Sequence, residues 1–318
     1  MRDHEVQLPG GRPRLAVTEG EGGPGRRAVL LVHGLASNRR LWDGVAARLS
    51  QAGHRTLAVD QRGHGGSELP DGGFDTDTCA DDLAALVDVV GLAGAAGPPL
   101  VVGQSWGGNV VLSLAARHPA AVGAVCCVDG GWIRLASAFP DRDACWAALA
   151  PPSFEHLRWT DMEERVRAWM SPAAGWPQWA AAATLANLAP TPGGGVRARL
   201  PRAAHREIVT SLYEGDPRLL YPRVAVPVLL CPVVGPRPVP GEDTRSSAAR
   251  EAVLEALAAL PAGRVSWYDG AHHDLHAQHP DRLAADLLAL LDQLDQLDQL
   301  DPTDPTGAGG AGQEVSRA

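Results

Sequence analysis

The sequence contains no lysine; all 28 residues counted as Lys or Arg are arginine. Tyrosine, phenylalanine and methionine are scarce, at three each. With 37 acidic residues the formal net charge is −9, which argues against nucleic-acid or anionic-membrane partners. No stretch approaches the ~18 uncharged apolar residues of a membrane span. The charged opening Met1-Arg2-Asp3-His4-Glu5 leads into no apolar run, so no signal peptide is expected. The cysteines Cys79, Cys126, Cys127, Cys145 and Cys231 are odd in number and lack metal-ligand spacing, so no metal is expected. Cys126-Cys127 read as small core residues within a strand. The glycine-rich stretches lack dinucleotide spacing, and no cofactor is expected. A reduced, cytoplasmic setting fits these absences.

What remains is ordinary globular composition, 45% hydrophobic and 20% charged over 318 residues, enough for a large core. The richness in Arg, Ala and Gly reads as the bias of a GC-rich bacterial genome rather than a functional signal.

Val101-Val102-Gly103-Gln104-Ser105-Trp106-Gly107-Gly108-Asn109-Val110 organises the chain. Pro99 to Val102 reads as a short buried strand, and Asn109 to His118 has helical spacing that stops at Pro119. Gly-x-Ser-x-Gly between strand and helix is the pattern of a nucleophile elbow. Its glycines permit a tight turn that lifts the serine oxygen clear, and the helix N-terminus offers N–H groups to a developing oxyanion.

Around this stretch, strands and helices alternate. An opening hairpin is expected from Glu5–Leu8 and Arg14–Thr18, then strands at Ala28–Val32, Arg55–Val59, Val122–Val128, Val226–Leu230 and Arg264–Tyr268. Helices are expected at Leu41–Leu49, Asp77–Leu92, Ser246–Leu260 and Pro280–Leu291. This predicts an α/β fold, a mainly parallel sheet with helices on both faces. Residues 132–223 break the pattern: they carry six of the nine tryptophans, helix-like pieces interrupted by prolines, and no obvious strand. They read as a helical insertion between core segments 1–131 and 224–300, and 301–318 as a disordered tail.

These segments resemble the α/β-hydrolase superfamily from about Ala28 to Leu291. His33-Gly34-Leu35 sits at the family's oxyanion loop, Asp60-x-Arg62-Gly63-x-Gly65-x-Ser67 at its next turn, and Gly103 to Gly107 at its elbow. Gly270-Ala271-His272-His273-Asp274-Leu275 matches its histidine segment, because Pro280 lies seven residues beyond His273.

The resemblance implies a serine hydrolase with a helical cap, forming an acyl-enzyme on an ester, lactone or related acyl bond of a small hydrophobic substrate. Ser105 would be the nucleophile and His273 the base, with His272 the alternative. The N–H groups of Trp106 and Leu35 would hold the oxyanion. The acid is Asp129 or Asp243: the family usually places it after the strand that follows the insertion, near Asp243. Asp129 is preferred because it stands directly at a strand end beside two glycines. Trp132 and His33 are expected to contact substrate. Two other readings use the same scaffold: a non-catalytic ligand-binding module, and a cofactor-free perhydrolase or haloperoxidase-like activity.

Overall fold

The computed structural model describes residues 1–154, 156–237 and 244–300; Asp243 and the 301–318 tail lie outside the described residues. In chain order the strands before the insertion are β1 (Arg2–Gln7), β2 (Arg14–Gly20), β3 (Val29–Val32), β4 (Thr56–Val59), β5 (Leu100–Gln104) and β6 (Ala124–Val128). After it come β9 (Val228–Cys231) and β10 (Gly263–Val265), with β7 and β8 inside the insertion. The main sheet runs β1-β2-β4-β3-β5-β6-β9-β10. The β1–β2 and β2–β4 pairs are antiparallel, and every later pair is parallel.

The central strands are continuous apolar runs because both faces of the sheet are covered. Along β3, Leu30 and Val32 join one core, and Val29 and Leu31 join the other. The first core is closed by α2 (Thr76–Val89), α3 (Trp106–Arg117) and α8 (Thr244–Ala259). The second is closed by α1 (Asp43–Gln51) and α10 (Pro280–Leu300). Helix α2 starts where Asp75 Oδ1 accepts from Thr78 N at 2.8 Å, a side-chain cap on an otherwise unpaired N–H. The expected parallel α/β sheet is therefore the one found.

Between β6 and β9 lie α4 (Arg142–Leu149), α5 (Trp159–Trp169), α6 (Ala180–Leu185) and α7 (Arg202–Glu214). The expectation of no strand here needs correction: β7 (Leu188–Pro190) and β8 (Val196–Ala198) form an antiparallel hairpin. Three-residue strands around Thr191-Pro192-Gly193-Gly194-Gly195 are too short to show a period of two, so the sequence reads as a loop.

This segment has its own core, including Met162, Val166, Met170, Trp176 and Leu185. Leu41 and Ala277 of the main body join that cluster, so the segment is packed onto the strand-end loops. The C-terminal Asp-Gln-Leu repeat continues α10 to Leu300, after the short α9 (Leu275–Gln278). Among the described residues no helix is long and apolar enough to cross a membrane.

Candidate active site

The loops after β3, β5 and β6 converge at one edge of the sheet. Ser105 stands between β5 and α3 with φ 53° and ψ −125°, a left-handed backbone that L side chains avoid. Gly103 permits the turn: a Cβ there would lie 2.1 Å from the carbonyl oxygen of Gly107. Ser105 N donates to Val128 O at 2.9 Å, which ties the elbow to the end of β6. Among the described residues the non-glycine positions with positive φ are Ala36, Ser105 and Asp129. All three belong to these loops, and such backbone costs about 1–3 kcal/mol each unless the surroundings hold it.

Asp129 follows β6 directly. Its Oδ2 lies 2.5 Å from His273 Nδ1, and its Oδ1 accepts from Val233 N at 3.3 Å. The carboxylate side chain is 16% exposed and the imidazole 49%. Burial lowers the pKa of His273, but the hydrogen bond and charge of Asp129 outweigh it and hold the pKa above the ordinary histidine value. With Nδ1–H donated to Asp129, Nε2 remains the nitrogen available for another proton. His272 does not share this arrangement. Its Nδ1 accepts from Asp274 N at 3.2 Å, and its ring meets the edges of Trp176 and Trp169 at 4.9 and 5.7 Å.

The loop after β3 abuts the elbow: a Cβ on Gly34 would come within 2.8 Å of Ser105 Cβ. Leu35 follows, half-buried, and Trp106 opens α3, so its N–H belongs to the first turn, whose N–H groups have no partner within the helix. His33 fixes the loop. Its Nδ1–H donates to Gly34 O at 2.7 Å, and its Nε2 accepts from Gln61 N at 3.0 Å. Burial pushes its pKa down to about 4. His64 does the same one residue pair further on, accepting from Ala36 N at 3.3 Å and donating to Arg62 O at 2.9 Å, with burial lowering its pKa to about 3. Asp60 accepts from the backbone N–H groups of Arg39 and Gly66 at 2.7 and 2.8 Å, so its turn is a brace for the same loop.

Of the two residues expected to touch substrate, one is removed from solvent and the other borders a cavity. His33 is wholly buried with both nitrogens engaged, so it positions the loop. Trp132 is 8% exposed and borders a cavity with Arg134, Pro217 and Tyr221 that neither Ser105 nor His273 lines. Sequence reasoning missed Gln104, whose Nε2 donates to His273 O at 3.2 Å and thus links elbow and histidine loop. It also missed Gln61, whose side chain donates to His33 O at 2.7 Å. Both are polar residues at strand ends that the fold buries, and that position was the only available signal. Among the described residues no cluster of three His, Cys, Asp or Glu could hold a metal.

The model of the alpha/beta hydrolase family matches residues 29–286. The chain belongs to that family. Among its relatives in this family, 2-(acetamidomethylene)succinate hydrolase of Mesorhizobium japonicum is 37% identical over 119 residues, covering 37% of this chain and 40% of that protein. Non-heme chloroperoxidase of Streptomyces lividans is 28% identical over 268 residues, covering 83% of this chain and 91% of the relative. The crystal structure of E-2-(acetamidomethylene)succinate hydrolase superposes with a TM-score of 0.70 at 26% identity, over 92% of this chain and 100% of that one. Family membership and these relatives support a hydrolase activity.

Proposed function

We propose that the chain is a serine hydrolase that cleaves an ester, lactone or related acyl bond of a small substrate through an acyl-enzyme. The observation that carries this reading is the 2.5 Å contact of His273 with Asp129 at the loop edge where Ser105 holds its strained turn. Ser105 Oγ attacks the acyl carbon while His273 Nε2 takes the hydroxyl proton. The negative charge moves to the carbonyl oxygen, toward the N–H groups of Trp106 and Leu35. Asp129 keeps the imidazole in its tautomer and stabilises the imidazolium. As the bond to the leaving group breaks, His273 returns the proton to that group. Water then attacks the acyl carbon with His273 again as base, the bond to Ser105 Oγ breaks as His273 returns the proton to that oxygen, and the carboxylic acid leaves.

The segment 132–223 acts in this reading as a cap over the strand ends. Asn38 of the loop after β3 donates to Ala183 O at 2.8 Å and to Asn187 Oδ1 at 2.6 Å, and this contact supports the cap role.

The extended likeness to a non-heme chloroperoxidase favours a second reading: perhydrolysis, with hydrogen peroxide replacing water at the acyl-enzyme to give a peracid. Both readings require an activated serine. Labelling by a fluorophosphonate, at whose phosphorus such an oxygen attacks, tests that requirement.

A further inference from the structure

Beside the loop after β3 lies a cavity of about 240 Å³. The core contributes Ala36, Ser37 and His64, and the segment between β6 and β9 contributes the facing wall. Ala36 is two residues beyond Gly34, which abuts Ser105. Ser105 is not part of the lining, so a substrate reacting there enters the cavity only with a part remote from the reacting bond.

The lining has an unusual charge balance for a chain of net charge −9. It includes Arg199 and no aspartate or glutamate. The Arg199 side chain is exposed, and its guanidinium makes no ion pair or hydrogen bond among the described residues. Ser37 is 9% exposed, and its hydroxyl has no hydrogen-bond partner. Asn187 spends its carbonyl on Asn38, leaving its amide nitrogen to donate. The two lining histidines carry no charge near neutral pH, because burial lowers the pKa of both His64 and His205. Phe154, Leu188 and Leu200 supply apolar wall.

A guanidinium, a free hydroxyl and an amide nitrogen are together a set of donors awaiting an acceptor. We propose that Arg199, with Ser37 and Asn187, forms a carboxylate subsite, and that the substrate is an acyl compound carrying a second, free carboxylate. The linker between the two ends is short and lies against the apolar wall, since the cavity is smaller than the ~300–1,000 Å³ of sites for drug-sized ligands. The chemistry at the reacting bond rests on the serine-hydrolase reading; recognition of the carboxylate does not.

The test compares mono-4-nitrophenyl glutarate with its neutral methyl ester. Binding is measured by calorimetry on the full-length Ser105→Ala protein, and turnover on the wild type. The charged ester should bind about tenfold more tightly, the gain of one charge-assisted pair at a partly solvated site. Arg199→Gln should abolish that preference and Arg199→Lys should retain part of it, with unchanged melting temperatures because the side chain is exposed. Equal binding of the two esters, no binding of either, or a preference that survives Arg199→Gln overturns the subsite. Arg199-dependent binding without turnover supports the subsite and counts against Ser105 chemistry. Turnover of both esters without preference overturns the subsite alone.

Discussion

At His273 two effects oppose each other: burial disfavours the imidazolium, and Asp129 favours it more strongly. On the proposed reading His273 is the base and must be neutral to take a proton, so activity rises with pH as it deprotonates. The acidic limb of kcat/KM should therefore have its midpoint above the ordinary histidine value of ~6.5. Asp129→Asn removes the two larger raising effects and leaves burial opposed only by the charge of Asp274, so the midpoint should move to lower pH while the plateau falls by roughly 10³–10⁴, through loss of the productive tautomer. A pH–rate profile of both proteins with a chromogenic ester checks this, and an unmoved midpoint would contradict the role of Asp129. Ser105 and His273 stand out in the sequence as candidates because they sit in short motifs with fixed spacing. Asp129 was legible only as one of two candidate carboxylates, the other being Asp243 in the segment after the strand that follows the insertion. Its contact with His273 joins residues 144 apart, which no local pattern encodes. Gln104 and Gln61 left no such mark, since an uncharged side chain acquires a role only when folding supplies its partner.

At the scale of elements, β5 does more than present Ser105. Gln104, its last residue, holds the histidine loop through donation to His273 O and to Asp274 Oδ1 at 3.4 Å. Gln104→Ala should lower kcat/KM by about tenfold, the ~1–1.5 kcal/mol of a lost hydrogen bond. Ser105 should remain reactive toward a fluorophosphonate, and steady-state kinetics beside a labelling time course separate the two effects. Loss of labelling would place Gln104 in the chemistry itself. The main strands and helices were readable because buried parallel strands are continuous apolar runs and amphipathic helices carry a 3.6-residue period. The β7–β8 hairpin and the extent of α10 were not. The hairpin is shorter than the period that would reveal it, and leucines every third residue drift around a helix rather than marking one face.

At the scale of the whole molecule, the main sheet carries a core on each face, and the segment between β6 and β9 adds a third that includes Leu41 and Ala277. His33, His64 and His276 are wholly or almost wholly buried, and burial lowers their pKa values to about 4, 3 and 4. The unfolded chain binds their protons near ~6.5, whereas the folded chain resists them until about 4 or below. Stability should therefore be full above ~6.5 and fall as pH drops from there toward 4, by about 1–2 kcal/mol per histidine at pH 5. Denaturant unfolding at pH 7.5 and 5 measures this, and equal midpoints would show that these histidines are not held neutral.

The most direct measurement is fluorophosphonate labelling of the wild-type protein with the adduct located by mass spectrometry, in parallel with folded His273→Ala. An activated serine predicts one adduct, on Ser105, that disappears when the imidazole is removed. A wild type that stays unlabelled, or an adduct on Ser105 that forms equally fast without His273, would contradict the assignment of Ser105 and His273 as nucleophile and base.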